Sequence, residues 1–81
     1  MTEREILAEV RDVLRKHVEV AAEVEPETDL TRDLELDSLK RLTFVVELEN
    51  RFKICFDPGD EDGVRTVRDV VALVVEKTVG R

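Results

Sequence analysis

Few residues in this chain can do covalent chemistry. Ser38 is the only serine, His17 the only histidine and Cys55 the only cysteine among 81 residues. Ser38 sits between Asp37 and Leu39, where an acidic stretch meets one of helical periodicity. A helix beginning there places the serine hydroxyl at the positive end of the helix dipole, which favours an anion such as a phosphodiester. The plainer role of such a hydroxyl is to cap the helix, and Asp37 is the other candidate for that task. His17 lies among Val13, Leu14 and Val18 near the end of a helical stretch. A dipole interaction or partial burial accounts for it there. Its position does not argue for a base paired with Ser38 or Cys55. Cys55, between Ile54 and Phe56, reads as a small core residue. One cysteine makes neither an internal disulfide nor a multi-cysteine metal site, and it is compatible with a reducing compartment.

The acidic run near residue 60 can be tested as a calcium loop. With Pro58 as the first position, Asp60, Asp62, Gly63 and Asp69 fall at positions 3, 5, 6 and 12. Pro58 has no side-chain oxygen and the closing glutamate is missing. No dedicated metal site is expected, only loose screening by divalent ions.

The elements that would position Ser38 follow from periodicity. A helix is expected near residues 2–19: Thr2 and Glu5 form a capping box, and Ile6, Leu7, Val10, Val13, Leu14 and Val18 recur at helical spacing. Residues 20–37 hold Pro26 and many acids and read as a long loop anchored by Leu30, Leu34 and Leu36. A second helix is expected near residues 38–52. At about 100° per residue, Phe44, Val45, Leu48 and Phe52 form its core side. Lys40, Thr43, Glu47, Asn50 and Arg51 gather on one polar face by the same spacing. Leu39, Leu42 and Val46 widen the apolar arc beyond what packing needs, and part of that extension should stay exposed as a docking surface. Asp57 to Gly63 forms turns, with a short helical segment near 58–64. Thr66 then caps a last helix near 66–79 whose valines at 67, 70, 71 and 74 keep helical spacing. Five valines there leave a strand as a competitor. The expected fold class is all-α: a small four-helix bundle with a long loop between helices 1 and 2 and a short third helix.

The stretch Asp33-Leu34-Glu35-Leu36-Asp37-Ser38-Leu39 resembles the phosphopantetheine attachment site of the acyl carrier protein family, whose signature is Asp-Ser-Leu. The resemblance extends through the loop at 24–30, the helix body at 45–52, the acidic segment at 57–62 and the last helix from Thr66. It implies that a phosphopantetheinyl transferase places 4′-phosphopantetheine on Ser38, with Asp37 and Leu39 completing the cofactor site. The arm's thiol would then carry an acyl group as a thioester for acyl-transferring, ligating or condensing enzymes of a fatty-acid, polyketide or other specialised pathway. The protein itself would not be an enzyme, and the bundle interior would shelter part of the acyl chain. Partners would meet Leu39, Lys40, Arg41, Thr43, Val46, Glu47 and Asn50. Two readings compete with this one: an aminoacyl or peptidyl carrier, and a helical adaptor without cofactor. Peptidyl carriers usually show Gly-His-Ser before the leucine, which this chain lacks.

Composition narrows the remaining classes. The length allows one domain, expected to span 1–81, and no deep substrate pocket. Twenty acids against 13 bases give a net charge of −7, which argues against a nucleic-acid partner. The acidity is uneven. Residues 20–37 carry seven acids and one base, whereas residues 38–53 carry four bases and two acids. Members of the resembling family that serve housekeeping fatty-acid synthesis carry acids along this helix, so Lys40 and Arg41 point to a specialised carrier with dedicated partners. No apolar run reaches the roughly 20 residues needed to span a bilayer, and the charged N-terminus has no signal-peptide core. A monomer working in the cytoplasm, without membrane insertion, is expected.

Overall fold

Thr2 begins the first helix as its spacing requires. The Thr2 hydroxyl accepts the Glu5 amide at 3.2 Å, and the Glu5 carboxylate accepts the Thr2 amide at 3.0 Å. The computed structural model describes residues 2–20 and 23–79, so residues 21 and 22 of the expected loop lie outside the described residues. Helix α1 runs Glu3–His17 and buries Ile6, Val10, Val13 and Leu14. Each such side chain contributes about 1.5–3 kcal/mol on leaving water. The helix ends earlier than its apolar pattern suggests. Glu19 takes a left-handed conformation (φ 59°) and the Val20 amide folds back onto the Leu14 carbonyl at 3.0 Å.

Helix α2 spans Ser38–Phe52 and buries Phe44, Leu48 and Phe52. Lys53, also left-handed (φ 56°), stops it with its amide on the Glu49 carbonyl. Helix α3 spans Val67–Val79. The valine-rich segment is helical because its start is fixed. The Asp69 carboxylate accepts the Thr66 amide at 3.0 Å, and the Thr66 hydroxyl accepts the Asp69 amide at 3.3 Å. Val67, Val70, Val71 and Val74 then fall on one buried face.

Among the described residues there are three α-helices and no strand, so the fold is all-helical. Where a short third helix was expected, Pro58–Gly63 forms a six-residue 3-10 segment. Proline, two glycines and so short a run do not sustain α-helical bonding. No helix of the described residues is long and apolar enough to cross a membrane.

Helix α1 packs against both other helices. Helices α2 and α3 meet less closely, and residues from the connections fill the space between them. There Leu30, Arg41, Phe44, Val45, Leu48, Phe56, Val64, Val70 and Leu73 line a small apolar cleft of about 40 Å³.

The described part of the long loop is irregular but tied down. Leu30 and Leu36 are buried, Leu34 packs against them, and Arg11 donates to the Val24 carbonyl at 2.8 Å. The loop is stitched to the approach to α3 by three bonds: Leu30 amide to Arg65 carbonyl, Val67 amide to Thr28 carbonyl and Arg68 amide to Pro26 carbonyl. Asp29 organises its turn. One carboxylate oxygen accepts the Thr31 and Arg32 amides at 2.9 and 2.7 Å, and the Asp29 amide donates to Asp33 at 2.8 Å. These donors, the Arg32 amide foremost, hold the Asp29 carboxyl below its ordinary range.

Candidate functional site

The loop delivers the chain to α2 through Leu36, which is buried with its amide on the Leu30 carbonyl. Asp37 follows as the N-cap, its carboxylate accepting the Lys40 amide at 2.8 Å. The capping task is thereby filled by Asp37, and Ser38 is the first residue of the helix. Its side chain is exposed, and no described residue hydrogen-bonds its hydroxyl. The Ser38 and Leu39 amides likewise have no acceptor among the described residues, as expected for the open first turn of a helix. A free hydroxyl beside unclaimed N–H groups can hold an anionic substituent. Ser38 opens onto a shallow hollow that it shares with Arg41, Leu42 and Asp62.

Beyond Ser38 the helix divides into three sides. Opposite the core stand Leu39, 72% exposed, Leu42, 59%, and Val46, 42%. These are the large apolar side chains left in water among the described residues, and Asn50 is exposed beyond them. Thr43 turns its hydroxyl back onto the Leu39 carbonyl at 3.1 Å. A second side is turned toward α1. There Glu47 lies 3.5 Å from His17, and Arg51 reaches Asp12 at 2.7 Å and Glu9 at 3.2 Å. The Arg51 guanidinium holds the Asp12 carboxyl below its ordinary range, and Asp12 in turn raises Arg51. Arg41 occupies the third side, half-buried between the loop and the cleft, with Thr31 Oγ1 at 3.4 Å.

The polar face expected from spacing is therefore split. Glu47 and Arg51 face α1, while Lys40, Thr43 and Asn50 are left without a partner side chain on α1 among the described residues; Arg41, expected among the partner-facing residues, also lines the cleft. Lys40 and Arg41 do not stand side by side on its outer surface, since Lys40 is exposed and Arg41 half-buried. Leu42 belongs at the centre of the exposed side, and its distance around the helix from Phe44 and Leu48 was the signal that it stays outside. Cys55 is a correction: it is exposed, with a long 3.9 Å contact from its sulfur to the Phe56 carbonyl. Ile54 and Phe56 on either side pack against the core, and the chain's direction between them turns Cys55 outward. His17 is exposed at the end of α1 and engages Glu47. Asp69, considered for a calcium loop, is occupied in capping α3, and Asp60 holds Lys77 at 2.9 Å.

Comparison with known proteins agrees with this layout. The family model described as the phosphopantetheine attachment site matches residues 4–74. An acyl carrier protein of Streptomyces coelicolor is 38% identical over 76 residues, covering 91% of this chain and 83% of that one. A meromycolate extension acyl carrier protein of Mycobacterium bovis is 31% identical over 75 residues, covering 91% of this chain and 65% of that one. A solved structure of a candidate acyl carrier protein from Mycobacterium tuberculosis superposes with a TM-score of 0.71. It has 31% identity and covers 91% of this chain and 95% of its own. The chain belongs to the acyl carrier protein family; it carries acyl groups on 4′-phosphopantetheine and is not an enzyme.

Proposed function

We propose that this acyl carrier protein holds its 4′-phosphopantetheine on Ser38. One observation carries the assignment: the helix is capped by Asp37, which leaves the Ser38 hydroxyl exposed and unbonded at the first helical position. The residues fit the group. A phosphodiester on Ser38 Oγ meets free N–H groups at the helix start and an open hollow rather than packed side chains. When bound, the group supplies a thiol at the end of a long flexible arm, a reach that no natural side chain has. Asp37 fixes the direction of the serine, and Leu39 stands exposed beside it as the first point of contact for a transferase.

The partner face in this reading centres on Leu39, Leu42 and Val46, with Lys40, Thr43 and Asn50 around them. An apolar centre with a thin polar rim suits docking by shape and burial more than by charge. Lys40 is exposed where housekeeping fatty-acid carriers bear acids, and this supports a specialised pathway with dedicated enzymes. The relative named for meromycolate extension shows that a protein of comparable similarity serves such a dedicated task. The same reading takes residues 1–81 as one carrier domain, with 58–63 as a 3-10 remnant of a fourth helix, acting as a monomer in the cytoplasm.

The test is intact-mass analysis after incubation with coenzyme A and a broad-specificity phosphopantetheinyl transferase. The Ser38 oxygen takes the phosphopantetheinyl group, its proton is lost and adenosine 3′,5′-bisphosphate leaves. A gain of one phosphopantetheine that disappears in Ser38→Ala is the expected result. No gain under conditions that load a control carrier refutes the assignment.

A further inference from the structure

Half-buried cations among the described residues have carboxylate partners, with one exception. Among the described residues, Arg11, Arg41, Arg51 and Lys77 are the cations of intermediate burial. Arg11 lies 3.8 Å from Glu25, Arg51 engages Glu9 and Asp12, and Lys77 engages Asp57 and Asp60. Arg41 has only the neutral Thr31 hydroxyl at 3.4 Å, in a chain with 20 acids. Taking a guanidinium partly out of water without a counter-charge costs free energy, and a fixed anion would offset it.

The position of Arg41 says which anion. It stands three residues after Ser38 on one helix, a spacing that brings side chains together. It lines the hollow that Ser38 opens onto, and it also lines the apolar cleft between α2 and α3. Asp62 is the acid that also lines the hollow, and it forms no ion pair with Arg41. A group attached to Ser38 Oγ has its phosphate fixed within this hollow, whereas the acyl end of the arm is free to travel.

We propose that Arg41 is a positioning residue for the prosthetic group: its guanidinium grips the non-bridging oxygens of the phosphodiester on Ser38 and turns the root of the arm toward the cleft. The planar fork of an arginine suits two phosphate oxygens in a way an ammonium does not. The inference rests on Ser38 bearing the group, so loading is scored before the clamp is tested.

The experiment uses phosphorus NMR on loaded wild type, Arg41→Gln, Arg41→Lys and Lys40→Gln, each shown by mass to carry one group and by circular dichroism to be folded. The phosphodiester resonance of Arg41→Gln is expected to shift and sharpen relative to wild type as the phosphate gains freedom. Added sodium chloride moves the wild-type resonance toward that position and leaves Arg41→Gln where it is. Lys40→Gln, an equal loss of charge two residues from Ser38, stays with wild type, and Arg41→Lys falls short of it. A wild-type resonance indistinguishable from that of Arg41→Gln overturns the clamp. So does a full match of Arg41→Lys to wild type, which would show that nearby charge suffices. Failure to gain mass at Ser38 overturns the attachment itself, and the clamp with it.

Discussion

Leu42 and Leu48 lie six residues apart on α2, and truncating each to alanine should give opposite phenotypes. Leu48 is 1% exposed and forms part of the wall of the apolar cleft; Leu42 is 59% exposed. Leu→Ala in a core costs about 2–5 kcal/mol, from lost transfer energy and the void left behind. The new void in L48A would join a cleft that already holds about 40 Å³. At ~24 cal/mol per Å³, that space alone represents ~1 kcal/mol of packing forgone. Phe44, Val70 and Leu73 on its walls have room to settle, which places the loss near the middle of the range, about 3 kcal/mol. For a domain of this size each kcal/mol lowers the melting temperature by about 4–8 °C. A total stability of about 4–12 kcal/mol leaves L48A folded but marginal in the cold. L42A should stay within about 0.5 kcal/mol of wild type. Circular dichroism is the suitable probe, because the chain has no tryptophan or tyrosine to report by fluorescence. The second measurement is the rate of phosphopantetheine loading well below either melting point. L42A should load about tenfold more slowly, a loss of ~1.4 kcal/mol typical of an anchor in an interface, while L48A stays near wild type. A loss below 1 kcal/mol in L48A, or unchanged loading by L42A, refutes this division of α2 into core and docking sides.

Two further outcomes concern the ends of helices and the acids. Lys53→Gly should stabilise the fold by about 1 kcal/mol, because glycine adopts the left-handed stop without a Cβ penalty; urea unfolding should show a higher midpoint with an unchanged slope. The carboxyls of Asp12, Asp29, Asp60 and Asp69 are all held below their ordinary range, by Arg51, the Arg32 amide, Lys77 and the Thr66 amide respectively. The unfolded chain therefore takes up protons at higher pH than the folded one. The stability from these groups is complete above the ordinary carboxylate range and is lost as pH falls through their lowered values. Lys77, raised by Asp60 and Asp57, acts in the opposite sense: its contribution is complete below the ordinary lysine range and lost as pH rises through its raised value. Melting temperatures measured across both limbs check the two signs.

The features legible in the sequence were those written in local patterns. The Thr2–Glu5 box, the Thr66–Asp69 pair and the valine spacing state their helices outright, and Asp37-Ser38-Leu39 marks the start of α2. What depends on distant segments was not legible. Asp29 reads as one acid among seven in a loop, yet it ties together a turn held against the approach to α3. Arg51 reads as a surface charge until α1 brings Glu9 and Asp12 to it. Arg41 joins Lys40 on the expected partner face because both stand where the resembling family carries acids, but one step of about 100° along the helix carries it from the side of Lys40 toward the cleft. Cys55 inherited an expectation of burial from flanking apolar residues that a turning backbone does not honour.

The seams between the helices are unequal, and the inequality has a thermodynamic consequence. Helix α1 is bound to α2 partly by the ion pairs of Arg51 with Glu9 and Asp12 and lies close against α3, whereas α2 and α3 are separated by the apolar cleft. Helix α1 acts as the spine, and the gap between the other two is where helix meets helix least closely. A cargo whose chain enters that gap is bound by the folded state alone. Linkage then raises the melting point by an amount that grows with the apolar surface the cargo covers. The stability of the empty carrier and that of the loaded one are two values of the same function, and heating the protein would read the length of what it carries.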